Sequence, residues 1–298
     1  MYKSIISIKD KRFSVYRLNQ YYLLVSIGNN RLRLTSIDQE SDRCLLMEAY
    51  QIDSGSPSAY LVTLKQLFQE HPFLATSAWR KVAICFENQK YTLVPIPLFQ
   101  EKNSIDYLKL AVNIENESAR YCLHPHLNIA VVFAVDDPVA AWLQKGYHPD
   151  HCHIVHQASS LIEGAIGYAN AKKLSLEPRV FVLAETDYMH ITVIEKSQLL
   201  YYNRFAYSSS DEFLQYILIV MYTLALDPSI HEVIVAGNVV KNSLVYRKMR
   251  NYIRYVSFSD IPPHLKFSWS FKKSFIINYF DLLNFYPASD YLNKLKFS

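Results

Sequence analysis

Glycine is scarce, with six residues in a chain of 298. Turns that cradle phosphates draw on clustered glycines, and no P-loop, dinucleotide fingerprint or nucleophile elbow is present. Cysteine is scarcer still: Cys44, Cys85, Cys122 and Cys152 stand far apart and form no CxxC pair, which predicts reduced, buried thiols. Long apolar runs are missing as well. The longest stretch, Phe213–Leu226, is interrupted by Gln215 and too short to cross a bilayer, so it predicts a helix buried on most sides. Met1-Tyr2-Lys3 leads into a short strand-like run, Ser4–Ile8, and not into a secretory apolar segment. Together with the thiols, this predicts a cytoplasmic protein. Low-complexity tracts are absent too, and 39 Tyr and Phe residues exclude a disordered chain.

Acids are the next shortage, and a local one. Residues 241–298 carry ten Lys or Arg against three Asp, so the net charge of +4 leaves residues 1–240 at −3. Lys241, Arg247, Lys248, Arg250 and Arg254 lie in a stretch without any Asp or Glu. Read as a helix over 241–254, they form its solvated face, with Leu244, Val245, Met249, Tyr252 and Ile253 turned inward. The same stretch is a candidate contact for nucleic acid or another anionic partner.

What the chain does have is one pattern written twice. Over residues 21–157 the order is three strands, helix, strand, helix, strand, and residues 179–258 repeat it. The first pass opens with the alternating runs Tyr21–Ile27, Arg31–Ile37 and Cys44–Ile52, and the second with Val180–Glu185, Tyr188–Glu195 and Leu199–Phe205. Gly28-Asn29-Asn30 is expected to turn the first hairpin with positive φ, and Arg31 and Arg33 to face water. Phe13–Leu18 reads as a short added strand, Ser104–Glu117 and Phe271–Leu283 as helices, and Asn128–Val135 as a central strand. Asp137, ahead of Pro138, is the expected cap of a following helix. The expectation is an α/β protein of two similar lobes around a cleft, 1–158 and 159–298, each with a mixed five-stranded sheet. The first also carries an N-terminal strand extension.

That order is the order of the actin-like ATPase (RNase H-like) superfamily. Several stretches resemble more closely an uncharacterised bacterial family with a degenerate form of this fold. They are Tyr22–Gly28, Cys44–Tyr50, Tyr91–Pro95 with Leu98-Phe99, Leu200–Phe205 and Val233–Gly237. Distant relatives of that family include pilus-assembly actin-like proteins and the cytoplasmic domain of a type II secretion platform protein. The resemblance implies a nucleotide cleft in which each lobe's first strand ends in Asp-x-Gly and paired glycines receive the adenosine. Here the matching positions are Ser26-Ile27-Gly28 followed by Asn29, then Ala184-Glu185-Thr186 followed by Asp187, and Gly237-Asn238. Carboxylate or glycine is missing from each, which argues against ordinary ATP hydrolysis.

Three readings follow. The preferred one is a non-hydrolysing actin-like scaffold or protein-docking module, with no cofactor. An enzyme that binds Mg·ATP through substitute carboxylates is the second, the candidates being Glu87, Asp136, Asp137, Glu185 and Asp187. The third places a nucleic-acid contact on the basic helix. Six histidines between 124 and 156 (His124, His126, His148, His151, His153 and His156) match no zinc spacing, and no metal site is predicted.

Overall fold

A computed structural model describes residues 1–53, 55–147, 151–173 and 177–285. The chain divides into two units. One comprises Met1–Ser159 with His264–Phe271 and Phe285, the other Ser160–Pro263 with Lys272–Asn284.

The first unit begins with β1 (Tyr2–Lys9), followed by a short 3-10 segment, kinked at Arg17, over Val15–Gln20 where the sequence suggested a strand. Ser14 causes the difference, since its Oγ accepts from the Tyr16 amide and caps the turn. Next come β2 (Tyr21–Gly28), β3 (Arg31–Asp38), β4 (Arg43–Ile52), α1 (Pro57–Glu70) and β5 (Lys81–Glu87). An excursion follows: β6 (Tyr91–Pro95), α2 (Ser104–Lys109), β7 (Glu117–His124) and β8 (Ile129–Asp136). Then α3 (Asp137–Gly146) and β9 (Cys152–His156) return the chain to the main sheet, whose order is β1-β4-β3-β2-β5-β9. β2, β5 and β9 run parallel, and the remaining pairs are antiparallel. β2 is buried along its whole length, as a central strand with both faces covered must be.

The excursion was not legible. α2 stops at Lys109, short of the expected Glu117, where β7 instead begins, a strand that the sequence reading did not include. β8 is central, as expected, but in a separate three-stranded sheet, β6-β8-β7, with its own small core of Val94, Leu108, Ala130, Val132 and Ala134.

After α4 (Gln157–Ala171), the second unit has β10 (Arg179–Ala184), β11 (Tyr188–Glu195), β12 (Gln198–Ala206), α5 (Ser210–Thr223) and β13 (Val233–Gly237). It continues with α6 (Leu244–Tyr252), β14 (Val256–Phe258) and α7 (Lys273–Asn278). The sheet order is β12-β11-β10-β13-β14, with β10, β13 and β14 parallel. This repeats β4-β3-β2-β5-β9 strand for strand. Its core gathers Val182, Ile191, Val235, Phe213, Ile217 and Met249 from sheet and helices. The expected helix over Phe271–Leu283 is interrupted: α7 ends at Asn278, and helical backbone resumes at 280.

Two helix starts differ from expectation. The α3 cap is Asp136, whose Oδ1 accepts from the Val139 amide at 3.0 Å, while Asp137 is the first helical residue. Asp136→Ala is expected to lower stability by about 1 kcal/mol and Asp137→Ala by less, as measured by urea unfolding. The basic helix is shorter than 241–254, because Ser243 caps it at the Tyr246 amide. Met249 and Ile253 are buried as expected, whereas Leu244 and Tyr252 are exposed.

Candidate functional site

Ligands of parallel-sheet proteins sit beyond the carboxyl ends of the strands. In the first unit that position falls where β2 and β5 end together, with Gly28 the register partner of Glu87. Glu87 is 5% exposed, yet its carboxylate is fully engaged. Arg31 approaches Oε2 through Nη2 at 2.6 Å and Nε at 2.7 Å, and Arg33 approaches Oε1 through Nη2 at 2.5 Å and Nε at 3.2 Å. Ser26 Oγ donates to the same Oε1. Burial alone would raise the Glu87 pKa. The charges of Arg33 and Arg31, with hydrogen bonds from Ser26 and Arg33, overcome it and hold the carboxyl well below the usual range.

The surrounding turn is filled from within. A Cβ on Gly28 would stand 3.0 Å from Glu87 Oε2 and 3.2 Å from Arg31 Cγ, so this glycine makes room for the ion pair. Tyr60 of α1 donates its hydroxyl to the Gly28 carbonyl at 2.6 Å. Neither Gly28 nor Asn29 nor Asn30 adopts positive φ, contrary to the sequence expectation, and Asn29 is exposed at the tip. Nor does β3 present a wet face: Arg33 is 4% exposed because its charge is paired inside. Two arginines, two apart on one strand beside a strand-end glutamate, were the signal available in the sequence.

In the second unit the equivalent register pair is Ala184 and Gly237. Gly237 has φ +86°, and a Cβ there would lie 2.1 Å from the Ala184 carbonyl oxygen. The Asn238 amide donates to that same oxygen at 2.8 Å, and the Asn238 side chain is exposed. Glu185 is buried in the β10–β11 turn; its amide donates to the Tyr188 carbonyl at 2.8 Å and its carbonyl accepts from the Tyr207 hydroxyl. Thr186 and Asp187 are exposed at the turn tip, where the Asp187 carbonyl accepts from the Tyr207 amide. The cleft candidates thus form two groups, Ser26 and Gly28 around Glu87 in one unit, and Glu185, Gly237 and Asn238 around Ala184 in the other.

These residues do not fit Mg·ATP in the manner of the active superfamily. The strand-end position that the resemblance gives to a carboxylate is Ser26 here, and the nearby Glu87 is paired with two guanidinium groups. Asp136 is committed to capping α3. Among the described residues no three His, Cys, Asp or Glu side chains are grouped to hold a metal ion. The histidines are placed individually: His124 Nε2 lies 2.9 Å from Ser159 Oγ, His156 Nε2 lies 3.1 Å from the Asn88 carbonyl, and His151 Nδ1 lies 3.0 Å from the Arg80 carbonyl. His148 lies outside the described residues. None of the four cysteines forms a disulfide, and Cys152 is only partly covered. Burial pushes the Cys44 and Cys152 thiols up to about 12, so neither is a ready nucleophile.

The basic residues separate too. Arg247, Lys248 and Arg250 belong to α6, whereas Lys241 precedes it and Arg254 follows it. Lys248 is half-buried and pairs with Asp211 at 2.6 Å; the other four are exposed. Arg254 stands over the Tyr255 ring at 5.2 Å. No helix among the described residues is long and apolar enough to cross a membrane.

Comparison with solved structures identifies the architecture. An actin-like ATPase-fold protein of unknown function from Bacteroides thetaiotaomicron superposes with TM-score 0.74 at 20% identity, over 85% of this chain and 95% of that one. The PilM–PilN complex of type IV pilus biogenesis gives TM-score 0.60 at 12% identity, over 88% of this chain and 96% of its own. The fold is that of the actin-like ATPases: the meander-and-crossover order of the second unit's five-stranded sheet recurs in five of the six strands of the first unit's main sheet. No curated protein matches the chain. A family match extends from Asp10 to Val256 and so takes in β2 to β13; the chain belongs to the family described as Protein of unknown function (DUF3822).

Proposed function

We propose that this protein is a non-hydrolysing actin-like scaffold that docks another protein. The observation that carries the reading is the Ser26–Glu87–Arg31–Arg33 network. A hydrolytic site of this fold needs a carboxylate at the strand end that is available to a hydrated divalent cation. Here the carboxylate at that end already has two buried or half-buried arginines as counter-charges, and the position two before Gly28 offers a hydroxyl in place of an acid. Replacing an inner metal site by an internal ion pair removes the chemistry and keeps the lobe. The neighbour solved as PilM with PilN supports a docking role, since there the fold is found in a complex with another protein. Fold likeness alone does not assign activity, so the reading stands on the network first.

Thermal unfolding with and without millimolar Mg·ATP tests it. A ligand present at a hundred times its Kd adds about 2.7 kcal/mol and raises Tm by several degrees. The expected result is no change in Tm. A clear rise that disappears in Glu185→Ala or Asp187→Ala would overturn the reading and reassign the second unit's turn to nucleotide binding.

A further inference from the structure

We propose that the groove between α5 and α6 is the docking surface and that its occupant is an acidic amphipathic helix of a protein partner. This rests on the docking reading above and gives it a place and a ligand chemistry.

The helix α5 is apolar on two sides. Phe213, Leu214, Ile217, Val220 and Met221 turn α5 into the core of its unit. That leaves Gln215, Leu218, Ile219 and Tyr222 along the opposite edge at i, i+3, i+4 and i+7, the spacing of a helical stripe. Instead of being polar, this outer stripe leaves Ile219 48% and Tyr222 87% exposed, contrary to the expectation of a helix buried on most sides. From α6, Tyr252 is 64% exposed and joins Lys248 and Asn251 across a groove of about 570 Å³. Two large aromatic side chains at the mouth of an open apolar trough are the kind of group that carries binding energy at protein interfaces. A helix of 14 residues is about 21 Å long, enough to seat three to four turns of a second helix ridge-into-groove.

Charge selects the occupant. Residues 241–254 supply five Lys or Arg and no acid. The acids on α5, Asp211 and Glu212, are already engaged, Asp211 by Lys248 and Glu212 by the amide and hydroxyl of Ser208. Lys248 is paired with Asp211 and the Arg250 guanidinium donates to the Arg254 carbonyl, so the cation that flanks the groove is Arg247, exposed and one turn from Asn251. An apolar floor flanked by Arg247 is complementary to a helix that carries an apolar ridge and a flanking carboxylate. A phosphate backbone would use Arg247 but leave the exposed Ile219 and Tyr222 uncovered, so the peptide is favoured over nucleic acid.

Fluorescence anisotropy with four labelled probes decides it. The probes are a peptide of about 20 residues with leucines at helical stripe spacing and glutamates elsewhere, a permuted peptide of the same composition, its lysine-for-glutamate counterpart, and a single-stranded DNA oligonucleotide of similar length. The amphipathic acidic peptide is expected to bind saturably, and the permuted and lysine peptides at least about tenfold more weakly. Ile219→Ser and Tyr222→Ser are each expected to weaken it about tenfold, and Arg247→Glu to weaken it and reduce its salt dependence. These positions are exposed, so the variants should melt with the wild type, which the same melting assay verifies. Equal binding of the permuted peptide overturns the proposal, as does no peptide binding. Preference for the oligonucleotide with Ile219→Ser silent reassigns the face to nucleic acid. A concentration-dependent dimer lost in Tyr222→Ser reassigns it to a second copy of this chain. Failure of the peptides with Mg·ATP still silent overturns this placement alone, whereas an Mg·ATP shift overturns the docking reading whatever the peptides do.

Discussion

Gly237→Ala is expected to cost about 4 kcal/mol or to prevent accumulation of folded protein. Two effects act together. The residue has φ +86°, a backbone region that side-chain-bearing residues seldom adopt. The added methyl would also lie 2.1 Å from the Ala184 carbonyl oxygen, which is backbone and has no rotamer by which to retreat. Moving β10 aside would break the Asn238 amide bond to that oxygen and disturb the parallel pairing with β13 in the middle of the sheet. The measurement is the urea midpoint, or soluble yield where no folded protein is recovered. The neighbouring change Asn238→Gly sharpens the result. Asn238 is exposed and contributes its amide, which glycine retains, so stability should change by less than about 1 kcal/mol. That variant restores the paired glycines of an adenosine turn, and it should still show no Mg·ATP shift. A mild Gly237→Ala phenotype would mean that this glycine serves an approaching ligand and not the sheet.

The duplicated order was legible because both meanders alternate clearly and each helix changes the period from 2 to 3.6. β7 was not, for a local reason. Its first five residues are all partly exposed, so no alternation marks it, and it sits at the edge of a small sheet just after a helix. α5 misled in the opposite sense. A run as apolar as Phe213–Leu226 has no polar face to be read, and only the sheet beneath it decides that Ile219 and Tyr222 point out. The positions of the degenerate turns could be read from the resemblance, but what replaced their chemistry could not. Arg33 and Glu87 are 54 residues apart and meet only because β3 and β5 flank β2. Alternation with Leu32 and Leu34 made the arginines look like a wet face, since a strand pattern separates sides and does not say what covers each side.

Glu87→Ala is expected to destabilise the protein by about 3–5 kcal/mol, the usual consequence of removing one partner of a buried ion pair. The side chain of Arg33 is 5% exposed and cannot return to bulk water without moving β3, whereas that of Arg31 is 23% exposed and already partly solvated. The double variant Glu87→Leu with Arg33→Met should lose less than Glu87→Ala alone, because it leaves one fewer uncompensated charge; urea midpoints of the set measure the coupling. Phosphate or sulfate should partly restore Glu87→Ala more than chloride does at equal ionic strength, since the vacated place is lined by two guanidinium groups. The pH dependence has a definite sign. A carboxyl whose folded pKa is depressed contributes stability that is complete above its unfolded value, near 4.3, and is lost as pH falls through the folded value. Because burial is overcome here by Arg33, Arg31 and Ser26, that folded value lies well below the usual range. The advantage of wild type over Glu87→Gln should therefore be undiminished from pH 7 to pH 5 and decline only in stronger acid. If it vanished between pH 6 and pH 5, the carboxylate would not be held by its arginines. The strand end would then be open to a cation after all, and the case against nucleotide chemistry would lose its main support.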